Sequence, residues 1–152
     1  MTNPPIYFYR PYEPFGEFSN FYSAPIELDG TIWPTTEHYY QAQKFIWDKT
    51  HYENIRQLET PHEAFLYVRE HDFSQHTNWE QVKDEVMFKA CLAKFQQHSN
   101  LKEFLLSTGD RILIEHTEKD SYWGDGPDGK GRNQLGITLM KIREYFKKSL
   151  EM

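Results

Sequence analysis

Four glycines between residues 124 and 131 constrain this chain more than any other feature. Gly124, Gly126, Gly129 and Gly131 are half of its eight glycines. Neither a helix nor a strand runs well through such a density of residues lacking Cβ. The stretch "YWGDGPDGKGRNQLG", residues 122–136, is therefore expected to be a sharply bent loop leading into a helix. Gly124 to Lys130 fits G-x-x-x-x-G-K, but the next residue is Gly131, so the Ser or Thr that a phosphate loop offers to Mg²⁺ is missing. A calcium loop starting at Asp125 fails as well, because Pro127 stands at its third position and brings no side-chain oxygen.

The rest of the chain divides around that loop. Residues 6–10, "IYFYR", form a short β-type run, and a turn-rich stretch with three prolines follows. In "IELDGTIW", Ile26 and Leu28 alternate with polar residues, and Asp29-Gly30 is a two-residue hairpin signal. A Thr near residue 36 can cap a helix over about 36–47. Further helices are expected over about 52–58, over 61–70 with Pro61 at the first position, and over 78–98 with Asn78 as the cap. Val82, Val86, Met87, Ala90 and Ala93 repeat there at helical spacing. Asn100 is expected to cap a short helix closed by Gly109, residues 111–115 to be a strand, and residues 135–148 the final helix. The fold class is α+β: a mainly helical single domain over residues 1–152 with a small mixed or antiparallel sheet.

Bulk numbers narrow the function classes. A chain 38% hydrophobic and 26% charged is globular, and no apolar run reaches membrane-spanning length. The first residues lack the apolar core of a secretory signal, and the single Cys91 excludes an internal disulfide; the expected location is cytoplasmic. A net charge of −6 argues against a nucleic-acid coat, although a local basic site is compatible with it. Eleven Phe, ten Tyr and four Trp supply core and, at some positions, stacking surface for a planar ligand.

Three regions could carry chemistry. On the helix after Thr36, Glu37, Gln41 and Lys44 form one stripe, and Tyr39, Ala42 and Ile46 form another roughly opposite. A polar stripe ordinarily faces water; the alternative is a pocket wall holding an acid or base and an anion anchor. Asn20 in "SNF" and Trp79 at the start of the long helix read as a turn residue and a packing anchor, or as groups that hold a ligand. The loop after residue 115 gathers Glu115, Glu118, Asp120, Asp125 and Asp128 around Trp123. No zinc spacing is present among the scattered histidines and Cys91, and no metal or other cofactor is expected.

The blocks "GEFSNFYSAPIELDGTIWPTTEHYYQAQKF", "NWEQVKDEVMFKACLAKF" and "LIEHTEKDSYWGDGPDGKGRNQLGITLMKIRE" resemble, in order and over most of the chain, the YbiA-like proteins of the NADAR superfamily. That resemblance implies an N-glycosidase splitting ribosylamino-pyrimidine phosphates of early riboflavin synthesis and releasing ribose 5-phosphate. Other superfamily members remove ADP-ribose from guanine bases, which makes nucleic acid a second, less favoured partner, and the superfamily name points to NAD or ADP-ribose binding. Carried over by motif, Glu37, Trp79 and Asp120 form the catalytic group. Lys44 adds a phosphate anchor or a Schiff-base nucleophile. Asn20 and Trp123 line the pocket, and Gly124 and Gly126 offer backbone N–H groups to a sugar phosphate. His76 stands where some relatives carry Arg or Lys.

Overall fold

The structure is a computed structural model and describes residues 3–150. Its elements run β1 (Ile6–Phe8), a 3₁₀ turn (Gly16–Phe18), β2 (Ile26–Leu28), β3 (Thr31–Trp33), α1 (Thr36–Gln43), α2 (Lys49–Arg56), α3 (Pro61–Arg69), α4 (Trp79–Gln97), α5 (Ser99–Ser107), β4 (Leu113–Glu115) and α6 (Gln134–Leu150). The strands form two separate pairs. β1 lies parallel to β4, with Ile6 opposite Leu113 and Phe8 opposite Glu115. β2 and β3 form an antiparallel hairpin with Ile26 opposite Trp33. Asp29 and Gly30 both take positive φ, 54° and 77°, as a two-residue hairpin turn requires.

Two apolar clusters hold the molecule together. One gathers Ile6, Phe8, Phe18, Met87, Phe95, Leu113, Leu139 and Phe146, joining the parallel strands to α4, α5 and α6. The other gathers Ile26, Trp33, Phe45, Ile55, Ala64 and Val68, joining the hairpin to α2 and α3. α1 and α4 serve both. α1 sends Tyr40 to the first and Tyr39 and Ala42 to the second, while α4 sends Met87 and Cys91 to the first and Ala90 and Ala93 to the second. α6 approaches β4 so closely that a Cβ on Gly136 would meet the Leu113 carbonyl oxygen at 2.0 Å.

Several expected boundaries move for identifiable reasons. The first helix ends at Gln43 and unwinds into turns before Asp48, which leaves Ile46 61% exposed instead of packed on the opposite stripe. The cap is Thr35, whose hydroxyl accepts from the His38 backbone N–H at 3.1 Å. Asp48 caps α2 three residues earlier than expected, with its carboxylate on the N–H groups of Thr50 and His51. Asn78 precedes α4 without a side-chain cap bond, and Asn100 lies inside α5, which starts at Ser99. Gly109 closes α5 at φ 66°.

One buried cation ties the two halves. Lys94 of α4 is 1% exposed, and its Nζ donates to the Ser19 carbonyl at 2.9 Å. Burial pulls its pKa down to about 8, with Cys91 and Glu17 partly opposing. In the unfolded chain the amine keeps its ordinary affinity, so between about pH 8 and 10 the unfolded state binds the extra proton. Stability of the wild type is therefore expected to rise over that window by on the order of 3 kcal/mol relative to Lys94→Met, which cannot titrate. Urea unfolding at pH 7 to 10 measures this; parallel curves for the two proteins would contradict a buried titrating amine.

Candidate active site

The polar stripe of α1 does not face water. Because α1 packs against α2, α3 and α4, every residue from Thr36 to Gln43 is buried. Glu37 is 6% exposed; its Oε2 accepts from Gln41 Nε2 at 2.7 Å. Burial raises the Glu37 pKa; the Gln41 bond and the Lys44 ammonium oppose the rise, Asp120 adds to it and Arg69 opposes it. Lys44 follows the last turn of α1. Its Nζ lies over three rings, 5.2 Å from Tyr40, 5.1 Å from Phe73 and 5.7 Å from Trp79. Burial in this aromatic wall lowers its pKa to about 8, Glu37 resists, and Arg69 and Lys83 reinforce the drop.

The loop after β4 supplies the opposing carboxylates. Asp120 Oδ1 accepts from the backbone N–H groups of Tyr122 (2.9 Å) and Trp123 (2.8 Å). Its Oδ2 has no hydrogen-bond partner among the described residues. Trp123 stands edge-on to Tyr40 at 5.5 Å, and Tyr40 contacts Trp79 at 5.2 Å. Trp79 is 6% exposed, so the core holds most of its ring, and His76 packs edge-on against it at 5.3 Å. Tyr40 thus stands between Trp123 and Trp79, and Trp79 lies beside the cationic end of α1.

Asn20, Gly124 and Gly126 also have partners within the fold itself. Asn20 is 8% exposed; its Oδ1 accepts from the Thr36 hydroxyl at 2.9 Å and faces the Cys91 thiol at 3.7 Å. Its own carbonyl accepts from the Glu37 backbone N–H at 3.3 Å. Asn20 therefore positions α1 and has its side-chain oxygen occupied. Gly124 and Gly126 are buried within the loop's own packing. A Cβ on Gly124 would meet Thr117 Cγ2 at 2.6 Å and the Glu115 carbonyl oxygen at 2.9 Å. Gly126 has φ 72°. Their lack of a Cβ is explained by the loop itself, with no ligand needed.

Glu115, Arg69 and Lys83 complete the electrostatic group; the sequence placed Glu115 in the acidic loop and pointed to neither Arg69 nor Lys83. Glu115 closes β4 two residues after the buried Leu113, so strand alternation turns it inward; that was the available signal. Burial, with Asp120, Glu37 and Asp125 nearby, pushes its pKa up to about 8. Arg69 ends α3 and Lys83 sits one turn into α4, and nothing local in the sequence directs either toward Lys44. His38, by contrast, is structural: its Nε2 donates to the Leu58 carbonyl at 2.9 Å, and burial lowers its pKa. A surface groove lined by Val68, Arg69, His71 and Phe73 reaches this cluster through Phe73. A second groove, lined by Asp84, Phe88, Arg132 and Lys141, lies between α4 and α6, away from Glu37. Among the described residues no three His, Cys, Asp or Glu side chains converge to hold a metal.

Such an arrangement combines two carboxyl groups raised by burial, Glu37 and Glu115, with Asp120, an ammonium and aromatic walls. Groups whose surroundings push their pKa values apart divide acid and base duties. For Glu115 the folded carboxyl binds its proton more tightly than the unfolded one, so its contribution is complete below about pH 4.5 and is lost as pH rises through about 8. Glu115→Gln removes that loss. The variant is expected to gain stability over the wild type as pH increases from 5 to 8, as read by thermal unfolding; a difference that is constant with pH would contradict the raised carboxyl.

Comparison with known proteins places these residues in a family context. The model of the NADAR domain matches residues 7–147. The N-glycosidase YbiA of Escherichia coli (strain K12) is 49% identical over 146 residues, covering 96% of this chain and 91% of that protein. An N-glycosidase of Nostoc punctiforme is 42% identical over 149 residues, covering 97% and 96%. A riboflavin biosynthesis protein of Vibrio vulnificus is 47% identical over 144 residues, 95% of this chain and 39% of that one. The NMR structure of the E. coli protein YbiA superposes with a TM-score of 0.89 at 48% identity, covering all of this chain and 90% of that chain.

Proposed function

The chain belongs to the NADAR domain family, and from that premise we propose that it is an N-glycosidase. Its substrates are the ribosylamino-pyrimidine phosphates of early riboflavin synthesis; the product is ribose 5-phosphate. Residues 1–152 are read as one domain of this family. The observation that carries the proposal is the stripe of buried Glu37 and Gln41 with half-buried Lys44, Asp120 acting on Glu37 and Trp79 lying beside Lys44.

In the reaction the C1–N bond breaks, its electron pair goes to nitrogen, and a water oxygen bonds to C1. The nitrogen gains one proton and the water loses one. A planar, oxocarbenium-like sugar precedes the product, and paired carboxyl groups serve such a transition state. Glu37 stabilises the developing cation or takes the water's proton. The unpartnered Oδ2 of Asp120 orients the sugar. Glu115, neutral at pH 7, is the proton source for the departing nitrogen. Trp79 and Trp123 hold the pyrimidine.

Lys44, with Arg69 and Lys83 near it, has two uses, and its pKa of about 8 favours both. As an ammonium it anchors the phosphate. As a free amine it attacks C1 of the ring-opened substrate, an imine, displaces the pyrimidine amine and leaves a Schiff base that water hydrolyses to the sugar phosphate. Borohydride added during turnover separates them: a reduced sugar adduct on Lys44 establishes the amine role. The pH profile adds to this. Because Glu115 loses its proton over the same range, kcat/KM falls as pH rises through about 8 in the ammonium role and passes through a maximum near 8 in the amine role.

A small-molecule substrate is preferred over nucleic acid because the net charge is −6. No described helix is long and apolar enough to cross a membrane. We assign the activity to the cytoplasm, where a free thiol such as buried Cys91 persists.

Freshly prepared ribosylamino-pyrimidine phosphate, mixed with the purified protein, is expected to release ribose 5-phosphate above the spontaneous rate. Glu37→Gln, folded by circular dichroism, is expected to lose roughly 10²-fold or more in kcat/KM. Full activity in that variant would remove Glu37 from the chemistry; no release by the wild type would overturn the substrate assignment.

A further inference from the structure

Gln41 occupies the middle of the buried stripe, one turn after Glu37 and three residues before Lys44, and is 6% exposed. Its Nε2 donates to Glu37 Oε2 at 2.7 Å. Its Oε1 is buried and receives no hydrogen bond; among the described residues it is the one side-chain polar atom in that condition. An acceptor taken from water and left without a donor costs about 1–3 kcal/mol. Native interiors seldom keep such an atom unless something else fills the vacancy. The amide cannot be turned to escape the problem while Glu37 is ionised, because a carboxylate only accepts, and the amide nitrogen must face it.

We propose that Gln41 Oε1 accepts a hydrogen bond from the sugar hydroxyl on the carbon next to the reacting one, so that the site reads ribose against 2-deoxyribose. The inference rests on the N-glycosidase reading and adds a specificity-determining residue to it. Chemistry selects the donor. A phosphate offers acceptors only, so the phosphate end of the substrate cannot satisfy a carbonyl oxygen. The amino groups of the pyrimidine lie across the breaking bond, toward Trp79 and Trp123. Glu37 must face C1 to stabilise its charge, and Gln41 is hydrogen-bonded to the same carboxylate. The donor nearest to C1 on the sugar side is the C2 hydroxyl. A bond to that hydroxyl strengthens as the ring becomes cationic. The same amide group would then hold Glu37 with its nitrogen and the sugar with its oxygen, coupling recognition of the substrate to placement of the carboxylate.

Calorimetry with ribose 5-phosphate and 2-deoxyribose 5-phosphate tests this without requiring turnover. Wild type is expected to bind the ribose form about five- to tenfold more tightly. Gln41→Met keeps the side chain's length, removes the acceptor, and is expected to abolish the preference by weakening ribose 5-phosphate alone. Gln41→Glu keeps an oxygen acceptor and is expected to retain the preference even if hydrolysis slows. Equal affinity of the wild type for the two sugars would overturn the proposal, as would equal losses for both in Gln41→Met, which would leave Gln41 only a support for Glu37. Undetectable binding of ribose 5-phosphate by the wild type would overturn it too. Release of ribose 5-phosphate from the N-glycoside, measured in parallel, stands or falls separately, so a failed sugar preference is distinguishable from a failed glycosidase reading.

Discussion

Everything in this structure depends on burying α1 from all sides. A short helix wedged between two apolar clusters has no solvent face to offer its polar residues. Each one then needs a partner. Thr35 caps the helix, His38 bonds the Leu58 carbonyl, Thr36 bonds Asn20, and Gln41 bonds Glu37. The loop holding Asn20 is in turn held by the buried Lys94, which donates to the neighbouring Ser19 carbonyl. The scaffold thereby fixes the position of one carboxylate, Glu37, from several directions. A group held in this way needs little reorganisation when charge develops on a substrate, which is the condition for strong electrostatic catalysis.

Burial also sets the acidities. Glu37 and Glu115 are both pushed up, chiefly by loss of solvent, and Asp120 adds to each. Lys44 is pushed down by the same loss of solvent and by Arg69 and Lys83, and is restrained by Glu37. Charges that water would screen in an exposed loop influence one another strongly here. The site therefore sets a neutral acid, Glu115, and an amine lowered toward neutrality, Lys44, beside Glu37 and Asp120, without any group of unusual intrinsic chemistry. N-glycoside hydrolysis asks for this range: a proton for the leaving nitrogen and negative charge beside the sugar.

Local chemistry was legible in the sequence, and tertiary placement was not. Asp29-Gly30 declared its hairpin because only a few residue pairs accept two positive φ values. Gly109 and the helical spacing on α4 were equally plain. Asn78 stands at the start of α4 as expected but makes no side-chain cap bond, and Asn100 was misread as a cap because propensity says what a residue can do while packing decided where α5 began. The polar stripe of α1 shows the main limit. Periodicity revealed that Glu37, Gln41 and Lys44 share a face, yet the same pattern describes a solvated helix. Only packing between two clusters assembled from residues far apart in the chain, with Trp79 of α4 over the Lys44 end, turns that face inward. Arg69 reaches Lys44 from another helix for which no local pattern exists. Gly124 and Gly126, which the family resemblance offers to a sugar phosphate, also have steric causes inside their own loop.

The most direct test is a crystal structure of Glu37→Gln with a stable C-glycoside analogue, in which carbon replaces the glycosidic nitrogen of a ribosyl-pyrimidine 5-phosphate. The account predicts the anomeric carbon between residue 37 and Asp120, the pyrimidine against Trp79 and Trp123, and the phosphate toward Lys44 and Arg69. An analogue seated instead in the groove between α4 and α6, beside Asp84, Phe88 and Arg132, would contradict it.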